Sequence, residues 1–244
     1  MFVATNVFAQ RESFGTDEYA DVIDHTRFDS LWHEAQLRGR LNTQGWDSEA
    51  YRTYRLQLSS ATPMAFLPKA RTAFWVNAYL ACLMEVMHLR VGYRSTVWDT
   101  LWLRRDTFYV AGQPSTLDDL RIEAVRAAGT VAVWGCLPTG SQQGAPFPSR
   151  AATARNIRVM IRDQMRRICR SERYLMFDPA GNVLQISRFF SPIVENMVLE
   201  AKSVAQWVLP YVSYGVAAQL ALHAPYVQTV VSDVIETWRK SRPP

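Results

Sequence analysis

Lysine is almost missing from this chain. Of 27 basic residues only Lys69, Lys202 and Lys240 are lysine, and the other 24 are arginine. GC-rich coding produces such a bias with no function attached. The physical alternative is the planar guanidinium fork, which suits carboxylates, phosphates and buried interfaces better than an ammonium group. Cysteine is scarce as well: Cys82, Cys136 and Cys169 form no close pair. That excludes a disulfide framework, supplies too few sulfur ligands at usable spacing for zinc, and fits a reducing intracellular compartment. There is no P-loop, no dinucleotide glycine motif, no HExxH and no Ser–His–Asp order, so no metal and no cofactor are expected. Long apolar runs are lacking too. The stretch 203–228, within the longest run without formal charge, is interrupted by Pro210, Gly215 and Pro225 and carries His223. It reads as buried helices, not as a membrane span. The opening MFVATNVFAQRESFGTDEY has no basic n-region and reaches acidic residues early, which matches neither a secretory signal nor a transit peptide.

What is present is ample core material. The 244 residues are 48% apolar and 12% aromatic, a globular composition for one large domain or two small ones. Residues 18–60 show amphipathic helical spacing, and ARTAFWVNAYLACLMEVMHL is apolar nearly all round, as a central core helix would be. FYVAG reads as a short strand entering a turn, after which Thr116 and Asp119 of TLDDL open a helix with a capping box. TVAVW reads as a short buried strand from its β-branched and aromatic content. The Gly-, Pro-, Ser- and Gln-rich loop at 137–149 is long enough to be functional or a partner-binding excursion. Residues 150–173 predict a helix with Arg155, Arg158, Arg162, Arg166, Arg170 and Arg173 within about 120° of one another on a 100° wheel. YLMFDPAGNVLQIS reads as a β-hairpin, and from Pro192 the pattern is helical to the end. The expected fold is a single, mostly helical α+β domain. Its small sheet would be built from strands near 108–115 and 130–135 and from a hairpin at 174–187.

Three motifs in order carry a resemblance. AFWVNAYLA, from Ala73 to Ala81, is similar to the AFWINAYNA helix motif of the domain of unknown function 547 family. VAGQPSTLDDLRIEAVR resembles that family's strand, turn and LSLDDIE helix, and LQISRFF, from Leu184 to Phe190, looks like its LSKIF hairpin end. The similarity covers roughly 24–230, leaving an N-terminal arm at 1–23 and a C-terminal helix end and tail at 231–244. The departure lies at GTVAVWGCLPTGSQQGAPFPSR, where the family pattern looks like RIHFALNCGxxSCPP. Aligned on Cys136, the family's arginine falls on Gly129, its histidine on Val131, its asparagine on Gly135 and its second cysteine on Ala145. The second asparagine of the helix motif is Leu80. Only Cys136, Asn77 and Pro146 keep the family's chemistry, so the resemblance implies a degenerate site.

A thiol needs a base or a helix N-terminus to become a nucleophile near neutral pH. Cys136 has no histidine close in sequence, and His25, His33, His88 or His223 would have to be delivered by the fold. His88 lies three turns beyond Asn77 on one helix, about 16 Å along its axis. An inert, buried Cys136 is therefore the expectation, with Asn77 as a latch holding the strand or loop around it. If the protein is an enzyme, Cys136 and Asn77 are its candidate residues, for thiol-dependent hydrolysis or group transfer. The arginine stripe is a solvated face or an anion site for an acidic protein surface, a lipid head group or RNA phosphates. RNA is disfavoured by the lack of interleaved aromatics. The reading that follows is a non-catalytic scaffold or accessory subunit of a larger assembly, intracellular, with a mitochondrial or other organellar complex as one setting. Surplus arginine, eight tryptophans and the loop insertion would then serve for contacts.

Overall fold

A computed structural model describes residues 21–37, 48–89, 102–140, 144–223 and 225–230. The amphipathic stretch at 18–60 contributes two described helices, α1 (Thr26–Leu37) and α2 (Ser48–Ser60). They pack aromatic residues inward, with Phe28 stacked on Tyr54 at 5.0 Å and tilted against Trp32 at 5.9 Å. The helix α3 (Pro68–Leu89) takes the central place that its all-round apolarity predicts, with Phe74, Tyr79, Leu80, Leu83 and Met84 fully buried. The short α4 (Trp102–Arg105) precedes β1 (Thr107–Val110) and β2 (Gln113–Thr116), an antiparallel pair. Its two-residue turn uses Ala111 at φ 52° and Gly112 at φ 77°, the left-handed pair a tight hairpin requires. The N–H groups of that turn donate to Leu58 O at 2.9 Å and Ser59 O at 2.7 Å, which caps the end of α2.

The expected capping box is present at the start of α5 (Leu117–Ala128). Asp119 N donates to Thr116 Oγ1 at 3.2 Å, and Thr116 N donates to Asp119 Oδ2 at 2.8 Å. Gly129, at φ 64°, ends the helix in the left-handed conformation.

The next expectation fails. Residues 130–135 are not a strand: Val131–Cys136 is a 3₁₀ helix, opened by Thr130 Oγ1 accepting from Ala132 N at 3.2 Å. Strand propensity is largely the fit of a side chain to neighbouring strands. Here the neighbours are helices: the segment packs on α5 and on α6 (Ile157–Cys169). Gly135 permits that approach, since a Cβ there would sit 3.2 Å from Met165 Cε and from Ile168 Cδ1.

The helix expected over 150–173 is shorter than its pattern, because residues before it are claimed by other partners. Ala151 N donates to Asp29 Oδ1 at 2.6 Å, Ala152 N to Asn77 Oδ1 at 2.8 Å and Ala154 N to Asp21 Oδ1 at 2.7 Å. A turn at Ser171–Tyr174 closes the other end. Only Arg158, Arg162 and Arg166 of the six stripe residues lie on α6. Arg155 precedes it, Arg170 is its C-cap and Arg173 belongs to the following turn.

The hairpin appears where expected, as β3 (Leu175–Asp178) and β4 (Val183–Ser187). After it come a 3₁₀ helix (Arg188–Ile193), α7 (Val194–Ala201), α8 (Val204–Val208) and α9 (Tyr214–Leu222). The chain is not helical to its end: β5 (Tyr226–Val230) returns to pair parallel with β4, giving a sheet in the order β3-β4-β5. The helices between supply the long crossover a parallel pair needs. The expected arm through residue 20 and the tail at 231–244 lie outside the described residues.

Two apolar clusters make the core of one α+β domain. The first surrounds α3, the second lies under the three-stranded sheet, and Val125, Trp134 and Ile161 pack against both. Glu200 ties the start of the 3₁₀ helix to α8 through three donors: Val131 N at 2.7 Å, Thr130 Oγ1 at 3.0 Å and Trp207 Nε1 at 2.7 Å.

Candidate functional site

Cys136 is the last residue of the 3₁₀ helix and has no solvent exposure. Burial raises its thiol pKa well above the ordinary range, and no charge or hydrogen bond opposes that shift. The four histidines are placed elsewhere or otherwise engaged. His25 is buried with Nδ1 2.8 Å from Tyr54 Oη, and burial lowers its pKa to about 4 against a smaller opposing pull from Asp24. His33 and His223 are exposed, and His88 is half-buried near the end of α3. No described imidazole acts on the Cys136 sulfur.

Asn77, on α3, does what a buried amide in an apolar helix must do, which is to find a donor and an acceptor. Its Nδ2 donates to Ala152 O at 2.7 Å, and its Oδ1 accepts from Ala152 N at 2.8 Å. The amide thus satisfies both backbone groups of one loop residue. It is a latch on the loop that follows Cys136, not a partner of the sulfur.

That loop is held along its length. Tyr79 Oη donates to Pro138 O, Tyr174 Oη to Gly144 O at 2.7 Å, Gln164 Nε2 to Pro146 O at 3.1 Å and Trp32 Nε1 to Pro148 O at 2.7 Å. Leu137, Pro138, Gly144, Ala145 and Pro148 are buried. The described part of the loop thus packs internally, and residues 141–143 lie outside the described residues. Buried loop carbonyls need donors, and side chains from α1, α3, α6 and the β3 turn supply them.

The positions aligned with the family's polar residues have structural tasks instead. Gly129 forms the left-handed end of α5, Val131 and Ala145 lie in the second core cluster, and Leu80 is fully buried in the first. At Gly135 a Cβ would meet Met165 Cε and Ile168 Cδ1 of α6 at 3.2 Å, so a larger side chain requires those two to shift. Of the eight tryptophans, four have described side chains: Trp32, Trp75 and Trp207 are buried, and Trp134 is half-buried beneath a cation. That cation is Arg121, nearly buried on α5, with its guanidinium 3.9 Å from the Trp134 ring centroid and 5.9 Å from that of Tyr79. Asp118 lies 3.5 Å from one of its nitrogens.

One polar cluster was missed by sequence reasoning. Tyr51, Tyr54 and Arg55 on α2 meet Cys82 and Glu85 on α3, with His25 behind Tyr54. Tyr51 Oη donates to Glu85 Oε2 at 2.6 Å, and Arg55 Nε lies 3.4 Å from the same oxygen. Burial pushes the Cys82 thiol up to about 12, Arg55 pulls it down and Glu85 pushes it up. The signal was available: two tyrosines and an arginine at i, i+3 and i+4 share a helical face. Counted as apolar positions, the tyrosines concealed the cluster.

The stripe arginines on α6 divide by environment. Arg158 and Arg162 are exposed, with Arg162 Nε 3.3 Å from Asp163 Oδ1, while half-buried Arg166 donates to Pro210 O at 3.4 Å. Among the described residues no group of His, Cys, Asp and Glu could hold a metal ion, and no helix is long and apolar enough to cross a membrane. Comparisons with family models, with curated proteins and with solved structures find no match to this chain.

Proposed function

We propose that this chain is a non-catalytic relative of the domain of unknown function 547 family, acting as a structural or accessory subunit of a larger protein assembly. The observation that carries the reading is α9. It contains no charged residue, yet Leu220 is its one buried side chain, with Tyr214 91% and Leu222 80% exposed. Tyr226, four residues on, is 72% exposed. Charge-free apolar surface of this kind is what a protein interface covers, and tyrosine is favoured at such contacts. The absence of thiol chemistry is supported by the burial of Cys136, by the packing of Val131 and Gly135 and by the helix-ending turn at Gly129. Three free, buried cysteines accord with a reducing intracellular setting, an organellar complex included.

The test compares native-state size in extracts of the source cells. The wild-type chain should migrate well above its 27.9 kDa monomer, and Tyr214→Asp with Leu222→Asp should return it to monomer size with an unchanged circular-dichroism spectrum. A wild-type chain that runs as a monomer, or a double variant that still co-migrates with the complex, refutes the reading.

A further inference from the structure

A groove of about 390 Å³ opens where four segments of the chain meet: the first turn of α3, the end of α5 with Thr130, the first turns of α6, and Pro210–Tyr211. Its floor is apolar, with Ala127, Ala132, Ile157 and Ile161 among the lining side chains. Lys69, Arg158 and Arg162 also line it, and no carboxylate does. Two carboxylates stand close by. Asp163 pairs with Arg162, and Glu200 is engaged by Thr130 Oγ1, Val131 N and Trp207 Nε1. The walls are fixed: Thr72 Oγ1 lies 3.0 Å from Ala127 O and ties α3 to α5, and Arg166 ties Pro210 to α6. Lysine makes the placement pointed, because Lys69 is one of only three in the chain.

We propose that this groove binds a small amphiphilic anion, with a carboxylate or phosphate head among Lys69, Arg158 and Arg162 and an apolar body against the alanine and isoleucine floor. Size and character fit: ligand pockets run from about 300 to 1,000 Å³ and are mostly apolar with a few placed polar groups. A guanidinium presents parallel donors to a carboxylate or phosphate, and a second cation nearby sets the head group's position. The floor excludes a fully hydrated inorganic ion as the best occupant, since burying that surface rewards an alkyl or aryl body. The exposed Arg158 and Arg162, with half-buried Lys69, exclude an uncharged lipid. The inference stands on a surface distinct from α9 and does not depend on the proposed assembly.

The test is calorimetric titration of the full chain with decanoate, decyl phosphate, decanol and inorganic phosphate at low and at moderate salt. One or both decyl anions should bind saturably at one site, at least ten-fold tighter than decanol or inorganic phosphate, and weaken as salt rises. Arg158→Gln with Arg162→Gln should cost at least ten-fold in affinity while thermal unfolding stays within a degree or two of wild type, and Ile161→Asp should abolish binding. The salt-sensitive arm separates head-group sources: co-sedimentation with anionic phosphatidylglycerol vesicles, without saturable binding of monomeric decyl anions, would mean a membrane-surface patch and overturn the proposal. Equal binding of decanol, or affinity unchanged in the double arginine variant, would overturn it as well.

Discussion

At the scale of single residues, the most informative side chain is Asn77. Its amide satisfies the N–H and the C=O of Ala152 in a fully buried setting, and an orphaned buried polar group costs more than a hydrogen bond gains. Asn77→Ala should therefore lower stability by about 2–4 kcal/mol, read as a fall in the urea midpoint with little change in slope. A loss under half a kcal/mol would mean that the loop holds itself. His25 sets a pH dependence whose sign follows from burial. An unfolded imidazole titrates near ~6.5, and folded His25 near about 4. As pH falls below the unfolded value, the unfolded chain takes up a proton that the native state refuses. Stability fully present above pH ~6.5 thus declines on acidification and is lost by the folded value, a contribution of roughly 3 kcal/mol. His25→Gln should flatten the difference in urea midpoint between pH 7 and pH 5 relative to wild type; an unchanged difference would place the titration elsewhere. Such positions were partly legible beforehand. An asparagine in an apolar helix announces a hydrogen-bonding duty, whereas the duty of His25 depends on a tyrosine of another helix.

At the scale of elements, local signals sufficed wherever the cause was local. The capping box at Thr116, the two-residue turn at Ala111–Gly112 and the hairpin around 178–182 are encoded by residues a few positions apart. The 3₁₀ helix at Val131–Cys136 was not legible, because TVAVW has a strand's side chains and is placed by helices on either side. Nor was β5, whose partner β4 lies some forty positions earlier in the chain. The arginine stripe was over-read for a similar reason: periodicity ran on through 151–154, where carboxylates and an amide from distant elements take the backbone donors. Gly135 gives this scale its test. An asparagine placed there, the residue that the resemblance aligns with it, brings a side chain against Met165 and Ile168. Gly135→Asn should destabilise the fold by about 1–3 kcal/mol, measured by thermal unfolding. A neutral or stabilising outcome would show that the close approach is not a constraint and that a polar site can be rebuilt there.

At the scale of the whole molecule, the stretch around Cys136 is a junction. The 3₁₀ helix bearing Cys136 touches α5 and α6, its first residues are held by Glu200 from α7, and the loop after it is held by donors from α1, α3, α6 and the β3 turn. The surfaces proposed for partners are the uncharged α9 and the basic groove, whose wall includes Thr130 and Ala132 at the start of that 3₁₀ segment. The motifs in sequence pointed to the junction, and the arginine stripe supplied two cations of the groove, Arg158 and Arg162; the exposed face of α9 was not legible, since exposure is a property of the assembled fold. The central claim is that the Cys136 sulfur is core and not nucleophile. Its most direct test is labelling of the native protein with iodoacetamide from pH 6 to 9, with modification at each cysteine quantified by mass spectrometry. Cys136 should remain unlabelled in the native state at every pH and react at the rate of an ordinary thiol once urea unfolds the chain. Rapid native labelling of Cys136, with an apparent pKa below the ~8.5 of a free thiol, would contradict the account.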